Sequence, residues 1–315
     1  MVRLSVLDTS PIVAGSTPRQ ALHNTVDLAV LADSLGYHRY WVPEHHGMRG
    51  VASCAPAVLV GQLAASTRRL RVGAGGVLLP NHAPIVVAEQ FGTLEALHPG
   101  RIDLGLGRAP GGPPAAVAAV RGSRSSSFRE QLSELRGYLS PTEGAIPVRG
   151  GNVPQLWLLG SSSSSAELAT ELGLPYAFAG HLNPGGAVEA ARGYRGPALL
   201  VSISVIVAAD DERAEWLAGS TRLKVLSRVR GTRIQLPSPE AAAYRYTADD
   251  RAEIAGRAGG VLVGGPTTVA KLLRTVLDET AATELMVTTP LYYHEDRRRS
   301  YELLAGIVDR LHSAG

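Results

Sequence analysis

The chain has 315 residues and is predicted to form an α/β protein, a (β/α)8 barrel of the TIM type. Two observations predict this class: eight short runs of β-forming residues recur along the sequence, and amphipathic helical stretches alternate with them. Such alternation is typical of parallel sheets, and eight units in one chain of this length favour a closed barrel. The rival, a doubly wound open sheet, typically carries a glycine-rich turn after its first strand. Here that turn reads Asp8-Thr9-Ser10-Pro11, which favours the barrel.

The predicted elements extend over the whole chain. Strands are predicted at residues 3–9, 39–43, 70–79, 102–107, 155–160, 176–180, 198–208 and 284–289. The clearest helical periodicity lies at residues 18–36, 83–97, 162–172, 266–280 and 295–312. The first helix opens with Pro18 and closes at Gly36, the residue types that commonly mark helix ends. Within the last helix, three consecutive arginines at 297–299 predict a solvated face.

Two longer stretches interrupt this alternation, at about residues 109–128 after the fourth strand and about 210–260 after the seventh. Long insertions in a compact barrel usually form lids over a site or contacts between subunits. No other feature divides the chain. Residues 1–315 are therefore predicted to form a single domain with two insertions.

Composition and charge exclude several classes of protein. Lysine and arginine number 31 against 28 acidic residues, a formal net charge of +3, so the charge does not indicate nucleic-acid binding. Cys54 is the single cysteine, which excludes an internal disulfide and fits the reducing cytosol; its small neighbours predict a buried thiol. The first residues lack the pattern of a signal peptide, and the longest apolar run, residues 198–209, is shorter than the ~20 residues that span a bilayer. A cytoplasmic protein without membrane contact is predicted.

Histidines concentrate where the predicted strands end, and in a barrel the loops after the strands form the active face. Five of the nine histidines lie there: His45, His46, His82, His181 and His294. Neutral imidazoles at such positions can act as a general base or as hydrogen-bond partners; the alternative is a purely structural pair at 45–46. Adjacent residues of an extended strand point to opposite sides, so His45 and His46 are not expected to share a metal ion. No metal site is predicted.

A run of five serines, residues 161–165, leads from the fifth predicted strand into a helix. Backbone N–H groups at the helix start, together with the hydroxyls, can bind a phosphate or another dianion. Arg108, at the end of the fourth strand, can add a charged contact. The alternative is that a serine only caps the helix. In the third strand, Gly75 and Gly76 indicate the close approach of a ligand or of another segment of backbone.

Together these segments resemble the bacterial luciferase-like, flavin-dependent monooxygenase family. The most specific part is the block from residue 72 to residue 108, which ends in HPGRIDLGLGR. Further matching segments are YWVPEHH at 40–46, LLGSS at 158–162, LGLPYAFAGH at 172–181 and ELMVT at 284–288. The likeness covers nearly the whole chain in order. It is greatest to single-chain members that act in bacterial secondary metabolism.

The resemblance implies a barrel that binds reduced FMN, supplied by a separate, transiently bound flavin reductase, with O2 as co-substrate. O2 adds to the flavin at C4a, and the resulting peroxyflavin oxygenates a small organic substrate. By the same resemblance His45 is the catalytic histidine, and the substrate side is lined by His46, His82 and His181. The positions implied to hold FMN are Gly75, Gly76, Arg108, Ser161, Ser162 and Ser165. The two glycines would form a cis peptide beneath the flavin ring and the others would surround its phosphate. A homodimer is implied as well.

Three other functions stay open on the residues alone. One is a deazaflavin (F420)-dependent hydride-transfer enzyme of the same fold, which neither Arg108 nor the serine run excludes. Another is a protein that binds flavin without catalysis, although the histidines at the strand ends argue against it. The last is a hydrolase barrel that binds a sugar or a phosphate, for which the sequence lacks a paired-carboxylate site. The resemblance favours the monooxygenase.

Overall fold

A computed structural model of the chain describes residues 2–122, 126–254 and 260–307. Its centre is a closed barrel of eight parallel strands. These are β1 (Arg3–Leu7), β2 (Arg39–Val42), β3 (Arg71–Leu78), β4 (Ile102–Gly107), β5 (Gln155–Gly160), β6 (Tyr176–Phe178), β7 (Leu199–Val207) and β9 (Glu284–Thr288). The strands pair in chain order, and the barrel closes where β7 pairs with β6 on one side and with β9 on the other. The predicted (β/α)8 barrel is confirmed.

Helices surround the barrel. They are α1 (Pro18–Ser34), α2 (Pro56–Ser66), α3 (Pro84–Leu97), α4 (Pro114–Arg121), α5 (Phe128–Tyr138), α6 (Ser163–Glu171), α7 (Ala187–Gly193), α8 (Asp211–Val229), α9 (Pro239–Ala243), α10 (Ala248–Ile254), α11 (Pro266–Thr280) and α12 (His294–Ala305). Each of the five predicted helices is present. The end of the last predicted helix, residues 308–312, lies outside the described residues. The side chain of Thr17 caps α1, and Gly36 follows the helix with a φ of +79°, a conformation that favours glycine.

A short strand, β8 (Val261–Gly264), was not predicted from the sequence. It pairs with the second half of β7, from Ser204 to Val207, whereas the first half of β7 pairs with β9 inside the barrel. β7 therefore pairs with β9 along its first half and with β8 along its second half, and all nine of its residues are buried. The predicted insertion after this strand contains α8, α9 and α10, and the one after β4 contains α4. Residues 123–125 and 255–259 of these stretches lie outside the described residues.

The interior of the barrel is apolar near its middle and charged at the amino ends of the strands. In the apolar middle, Trp41 and Trp157 pack edge to face, with ring centroids 5.5 Å apart. Beneath them the buried guanidinium of Arg39 bonds Asp103 at 2.7 Å and Glu284 at 3.0 Å. A buried arginine is tolerated only with such compensation, because an unpaired charge in the interior is costly. This ion network fills the amino end of the barrel and leaves the opposite end for a binding site.

Two expectations about single residues are wrong. Cys54 is exposed rather than buried, because it lies in the loop before α2 and not in a packed element. Arg297 belongs to the predicted solvated face, yet only 3% of it is exposed. Its Nη2 lies 2.6 Å from the buried carboxylate of Asp8, which supplies the missing counter-charge. No helix in the described ranges combines the length and the apolar character needed to cross a membrane.

Candidate active site

A cavity of about 310 Å³ opens at the carboxyl ends of the barrel strands. Its apolar floor is formed by side chains from inside the barrel, namely Leu7, Trp41, Leu200 and Met286. Its walls are formed by the loops that follow the strands. Eight of the predicted site residues line it: His45, Gly75, Gly76, Arg108, Ser161, Ser162, Ser165 and His181. The structure thus brings together residues that are up to 136 positions apart in the sequence.

The wall formed by β4, β5 and the start of α6 is suited to an anion. Ser162 caps α6, and Ser161, Ser162 and Ser165 at this helix start line the cavity. Nη2 of Arg108 lies 3.4 Å from Oγ of Ser164, and Arg108 forms no ion pair with any residue that the structure describes. An exposed, uncompensated guanidinium beside a helix N-terminus is a favourable setting for a phosphate. Ser164 is part of this group and was not predicted as a site residue.

Ser165 lines the cavity and also forms hydrogen bonds within the helix start. Its Oγ donates to the carbonyl oxygen of Ser162 at 2.7 Å and lies 2.8 Å from the hydroxyl of Tyr176. It also completes the capping box with Ser162. A side chain at Gly160 would collide with Ser165, so glycine is required where β5 meets this turn. Ser165 therefore shapes the helix start, while Ser161 and Ser162 lie nearer to the opening.

The peptide bond between Gly75 and Gly76 is cis, as the resemblance implied. Both glycines line the cavity and both are tightly packed on the barrel side. A Cβ added to Gly76 would lie 2.6 Å from the carbonyl oxygen of Gly105, and one added to Gly75 would lie 3.0 Å from Trp41. Neither position accepts a side chain without a shift of its neighbours. The result is a bare stretch of backbone in the cavity wall, against which a flat ring can lie.

His45 lies in the cavity wall between the floor and the rim. Its backbone N–H donates to the carbonyl oxygen of Ser53 at 3.0 Å, which holds the loop after β2 in place. Its Nδ1 is buried and has no hydrogen-bond partner in the described parts of the chain. Burial lowers the pKa of the His45 imidazole, and the neighbouring His46 lowers it further against the opposite effect of Glu44. The ring is therefore neutral at pH 7 and can accept a proton.

His46 and His82 do not line the cavity, although the resemblance placed them on its substrate side. Both imidazoles instead bind Glu44, with Nε2 of His46 at 2.7 Å and Nε2 of His82 at 2.9 Å from the carboxylate. His46 lies at a bend after β2, where its ring bonds the carboxylate of Glu44, two residues earlier in the same loop. The structure thus separates the predicted group of four histidines into two pairs.

Glu44 is a further residue of this region that was not predicted from the sequence. Its carboxylate, fully buried, also accepts from the backbone N–H of Leu78 at 2.9 Å and from Nδ2 of Asn81 at 3.2 Å. Burial raises the pKa of this carboxyl, but the hydrogen bond and charge of His82, with the Leu78 N–H and His46, bring the pKa below its usual range. The ionised carboxylate therefore ties the loop after β2 to the end of β3. An acidic residue directly before two histidines was the available signal.

The remaining cavity histidine, His181, follows β6. Its Nδ1 lies 2.6 Å from Oγ of Ser202 on β7, another residue that was not predicted. Burial, with a smaller contribution from the nearby His45, lowers the pKa of His181 to about 4. In the described residues no group of three or more histidine, cysteine, aspartate or glutamate side chains is arranged to hold a metal ion.

Comparison with known families decides the wider assignment. The profile of the family described as luciferase-like monooxygenase matches residues 2–284. The chain belongs to the luciferase-like monooxygenase family. The resemblance drawn from the sequence motifs is confirmed, and this luciferase-like monooxygenase is assigned to the oxidoreductases.

Close relatives match it from end to end. The chain is 45% identical over 323 residues to the uncharacterized protein YvbT of Bacillus subtilis (strain 168), with 96% of each chain covered. It is 40% identical over 329 residues to a luciferase-like monooxygenase of Escherichia coli (strain K12), with 98% of each covered. The crystal structure of apo-MsnO8 superposes with a TM-score of 0.92 at 39% identity, covering 98% of this chain and 99% of MsnO8.

More distant structures share the fold alone. One is the oxygenating constituent of 3,6-diketocamphane monooxygenase from Pseudomonas putida in complex with FMN, with a TM-score of 0.72 at 19% identity and 96% of each chain covered. Another is an F420-dependent secondary alcohol dehydrogenase, with a TM-score of 0.68 at 14% identity, covering 98% of this chain and 99% of that one. The same barrel fold therefore occurs in an FMN-binding and in an F420-binding protein.

Proposed function

We propose that this luciferase-like monooxygenase uses reduced FMN and O2 to oxygenate a small organic substrate, and that a separate flavin reductase supplies the reduced FMN. The observation that carries the proposal is the composition of the cavity. A cationic helix start, a bare glycine backbone and a neutral histidine lie on different walls of one opening above an apolar floor. Each suits a different part of a flavin reaction: phosphate, ring and proton transfer.

The residues fit the phosphate of FMN in charge and in placement. A phosphate carries ~2 negative charges at pH 7 and accepts several hydrogen bonds. Arg108 supplies an uncompensated positive charge, while Ser161, Ser162, Ser164 and the first N–H groups of α6 supply donors. The ring would lie against Gly75 and Gly76. When bound, reduced FMN supplies the electrons that activate O2.

The protein would contribute a sealed and proton-controlled environment to this chemistry. The floor of Leu7, Trp41 and Met286 offers no polar group to bind water, so a ligand that filled the inner part of the cavity would keep it dry. His45, neutral at pH 7, is the group we assign to proton transfer beside the flavin, since its ring lies in the wall and its Nδ1 has no partner in the described residues. Glu44 would act through its neighbours, as a positioning residue that holds the loop bearing His45.

The second candidate is F420-dependent hydride transfer, which the shared fold of the alcohol dehydrogenase favours. F420 also carries phosphate, so Arg108 and the serine run suit both cofactors. FMN is preferred because the relatives at 39–45% identity include a named luciferase-like monooxygenase, whereas the F420 enzyme is only 14% identical. The two cofactors also differ in whether O2 takes part.

The homodimer that the resemblance implied and the cytoplasmic location predicted from the composition are part of this proposal. We expect a cytoplasmic homodimer that joins through α2 and α3, the helices beside β2 and β3. Exposed apolar side chains on these helices support the interface: Val58 is 76% exposed and Leu97 is 68% exposed. Apolar groups of this kind are often covered in oligomers.

Replacing Arg108 by alanine tests the phosphate site. We expect R108A to bind FMN ~10- to 100-fold more weakly, because a hydrogen bond to a charged group is worth about 1.5–3 kcal/mol. Binding of riboflavin, which lacks the phosphate, should change little. The measurement is a fluorescence titration of each flavin with wild type, R108A and the control R19A, whose arginine is exposed on α1. Equal weakening of both flavins in R108A would show that Arg108 does not hold the phosphate.

A further inference from the structure

The contacts of Ser202 indicate which nitrogen of His181 carries the proton. Oγ of Ser202 lies 3.1 Å from the carbonyl oxygen of Phe178 and 2.6 Å from Nδ1 of His181. A carbonyl oxygen can only accept, so Ser202 forms both hydrogen bonds at once only when it donates its single proton to Phe178 and accepts from Nδ1. In this arrangement the neutral ring carries its hydrogen on Nδ1, and Nε2 keeps a free lone pair.

The second nitrogen of His181, Nε2, has no hydrogen-bond partner in the described residues. The imidazole lines the cavity, and in the described residues Nε2 makes no hydrogen bond. A protonated ring would donate from both nitrogens, but burial keeps this ring neutral by lowering its pKa to about 4. In the Nδ1–H tautomer, His181 presents one acceptor and no donor to whatever occupies this part of the cavity.

The surroundings make this acceptor selective. The other side chains near the end of β6 that line the cavity, Phe178 and Leu182, are apolar, as are Leu200 and Met286 on the floor. A bound molecule that covered Nε2 with a carbon atom would displace water from the lone pair and would not replace the lost hydrogen bond. Leaving a buried acceptor unsatisfied disfavours binding, whereas a donor at this point restores the bond.

We propose that His181 is a specificity-determining residue whose Nε2 accepts a hydrogen bond from a hydroxyl or N–H group of the substrate. Ser202 is the positioning residue that keeps the ring in the required tautomer. The substrate is accordingly a largely apolar molecule with one such donor, for example a phenol, an alcohol or a secondary amide. The inference depends on the proposed function because it takes this wall to be the substrate side of a flavin-binding cavity.

The first test is spectroscopic and needs neither flavin nor substrate. The enzyme is labelled with 15N in its histidine rings, and two-bond 1H–15N correlation spectra are recorded at pH 7. The His181 signal is identified by its absence in H181F and H181Q. We expect a pyrrole-type Nδ1 and a pyridine-type Nε2 in the wild type. In S202A, where Nδ1 has lost its acceptor, the fraction of the Nε2–H form should rise.

The second test measures recognition with a matched pair of probes, 4-ethylphenol and 4-ethylanisole, which differ by methylation of the donor hydroxyl. Calorimetric titration of the FMN-saturated enzyme should show the phenol binding ~10-fold more tightly, the effect of one hydrogen bond. The preference should disappear in H181F and weaken in S202A. The affinity for FMN itself should stay within about threefold in both variants, since neither side chain is assigned to the cofactor.

Several results would overturn the inference. A wild-type His181 with hydrogen on Nε2 would mean that the ring donates to the substrate. Equal binding of the two probes, or no binding of either, would remove the recognition role, as would an unchanged preference in H181F. If H181F does not fold, S202A and the wild-type spectrum still decide the tautomer. Loss of FMN affinity in both variants would assign the residue to the cofactor. Failure of reduced FMN to bind the wild type would instead refute the proposed function and leave the tautomer result standing.

Discussion

Replacing His45 by glutamine is expected to reduce the formation of oxygenated product by ~10²- to 10⁴-fold, the usual contribution of a positioned acid–base group. Glutamine is similar in length and polar, but it cannot exchange a proton near neutral pH. The binding of FMN should be close to normal, because the phosphate wall and the glycine backbone are unchanged. Product from a panel of small phenols, ketones and thioethers is measured by mass spectrometry at saturating reduced FMN.

The control for this variant is H23Q, which replaces an exposed histidine on α1 and should retain full activity. If H45Q instead loses flavin affinity while the bound flavin still gives product at the normal rate, His45 belongs to the cofactor site and the assignment of proton transfer is incorrect.

Replacing Glu44 by glutamine is expected to lower the free energy of unfolding by at least ~2 kcal/mol. Four donors converge on this carboxylate, from His46, Leu78, Asn81 and His82. The amide of glutamine turns a donor toward them and removes the charge, and each buried donor left unsatisfied costs about 1–3 kcal/mol. Urea unfolding at pH 7 measures the change. E89Q, which alters an exposed glutamate of α3, should stay within about 0.5 kcal/mol of wild type.

The pH dependence of the difference in stability between wild type and E44Q tests whether the charge of Glu44 stabilises the fold. The pKa of Glu44 in the folded protein is lowered from its ordinary value of 4.5, so the ionised form stabilises the fold above that pH. This stabilisation is lost as the pH falls below 4.5 through the folded pKa. The difference between wild type and E44Q should therefore be largest near neutral pH and should narrow on acidification. A difference that is constant with pH would mean that the charge of Glu44 does not contribute.

The barrel could be predicted because its signals are local. Each barrel strand is a short β-forming run, and proline and glycine mark the helix ends, as at Pro18 and Gly36. β8 was not predicted because it directly follows the long insertion after β7 and pairs only with the second half of β7, outside the closed barrel. The placement of Arg297 in the core also escaped, since its partner Asp8 is 289 positions away. Consecutive arginines predict a solvated surface, and only a known buried counter-charge indicates otherwise.

The location of the candidate site could be predicted from the sequence, but the arrangement of its side chains could not. Residues after parallel strands must meet at one end of a barrel, so His45, Arg108 and His181 were placed correctly on the cavity wall. The direction of each side chain could not be predicted, and His46 and His82 turn to Glu44 instead. Such pairings depend on contacts between loops that are distant in sequence.

The most direct test of the central claim is an anaerobic titration of the purified protein with reduced FMN and, separately, with reduced F420. Each complex is then mixed with air-saturated buffer while the absorbance is recorded. We predict stoichiometric binding of reduced FMN, followed by reoxidation by O2 with kinetics clearly different from those of free reduced FMN. Tight binding of reduced F420 without any reaction with O2, and no binding of reduced FMN, would contradict the account and assign the cavity to hydride transfer.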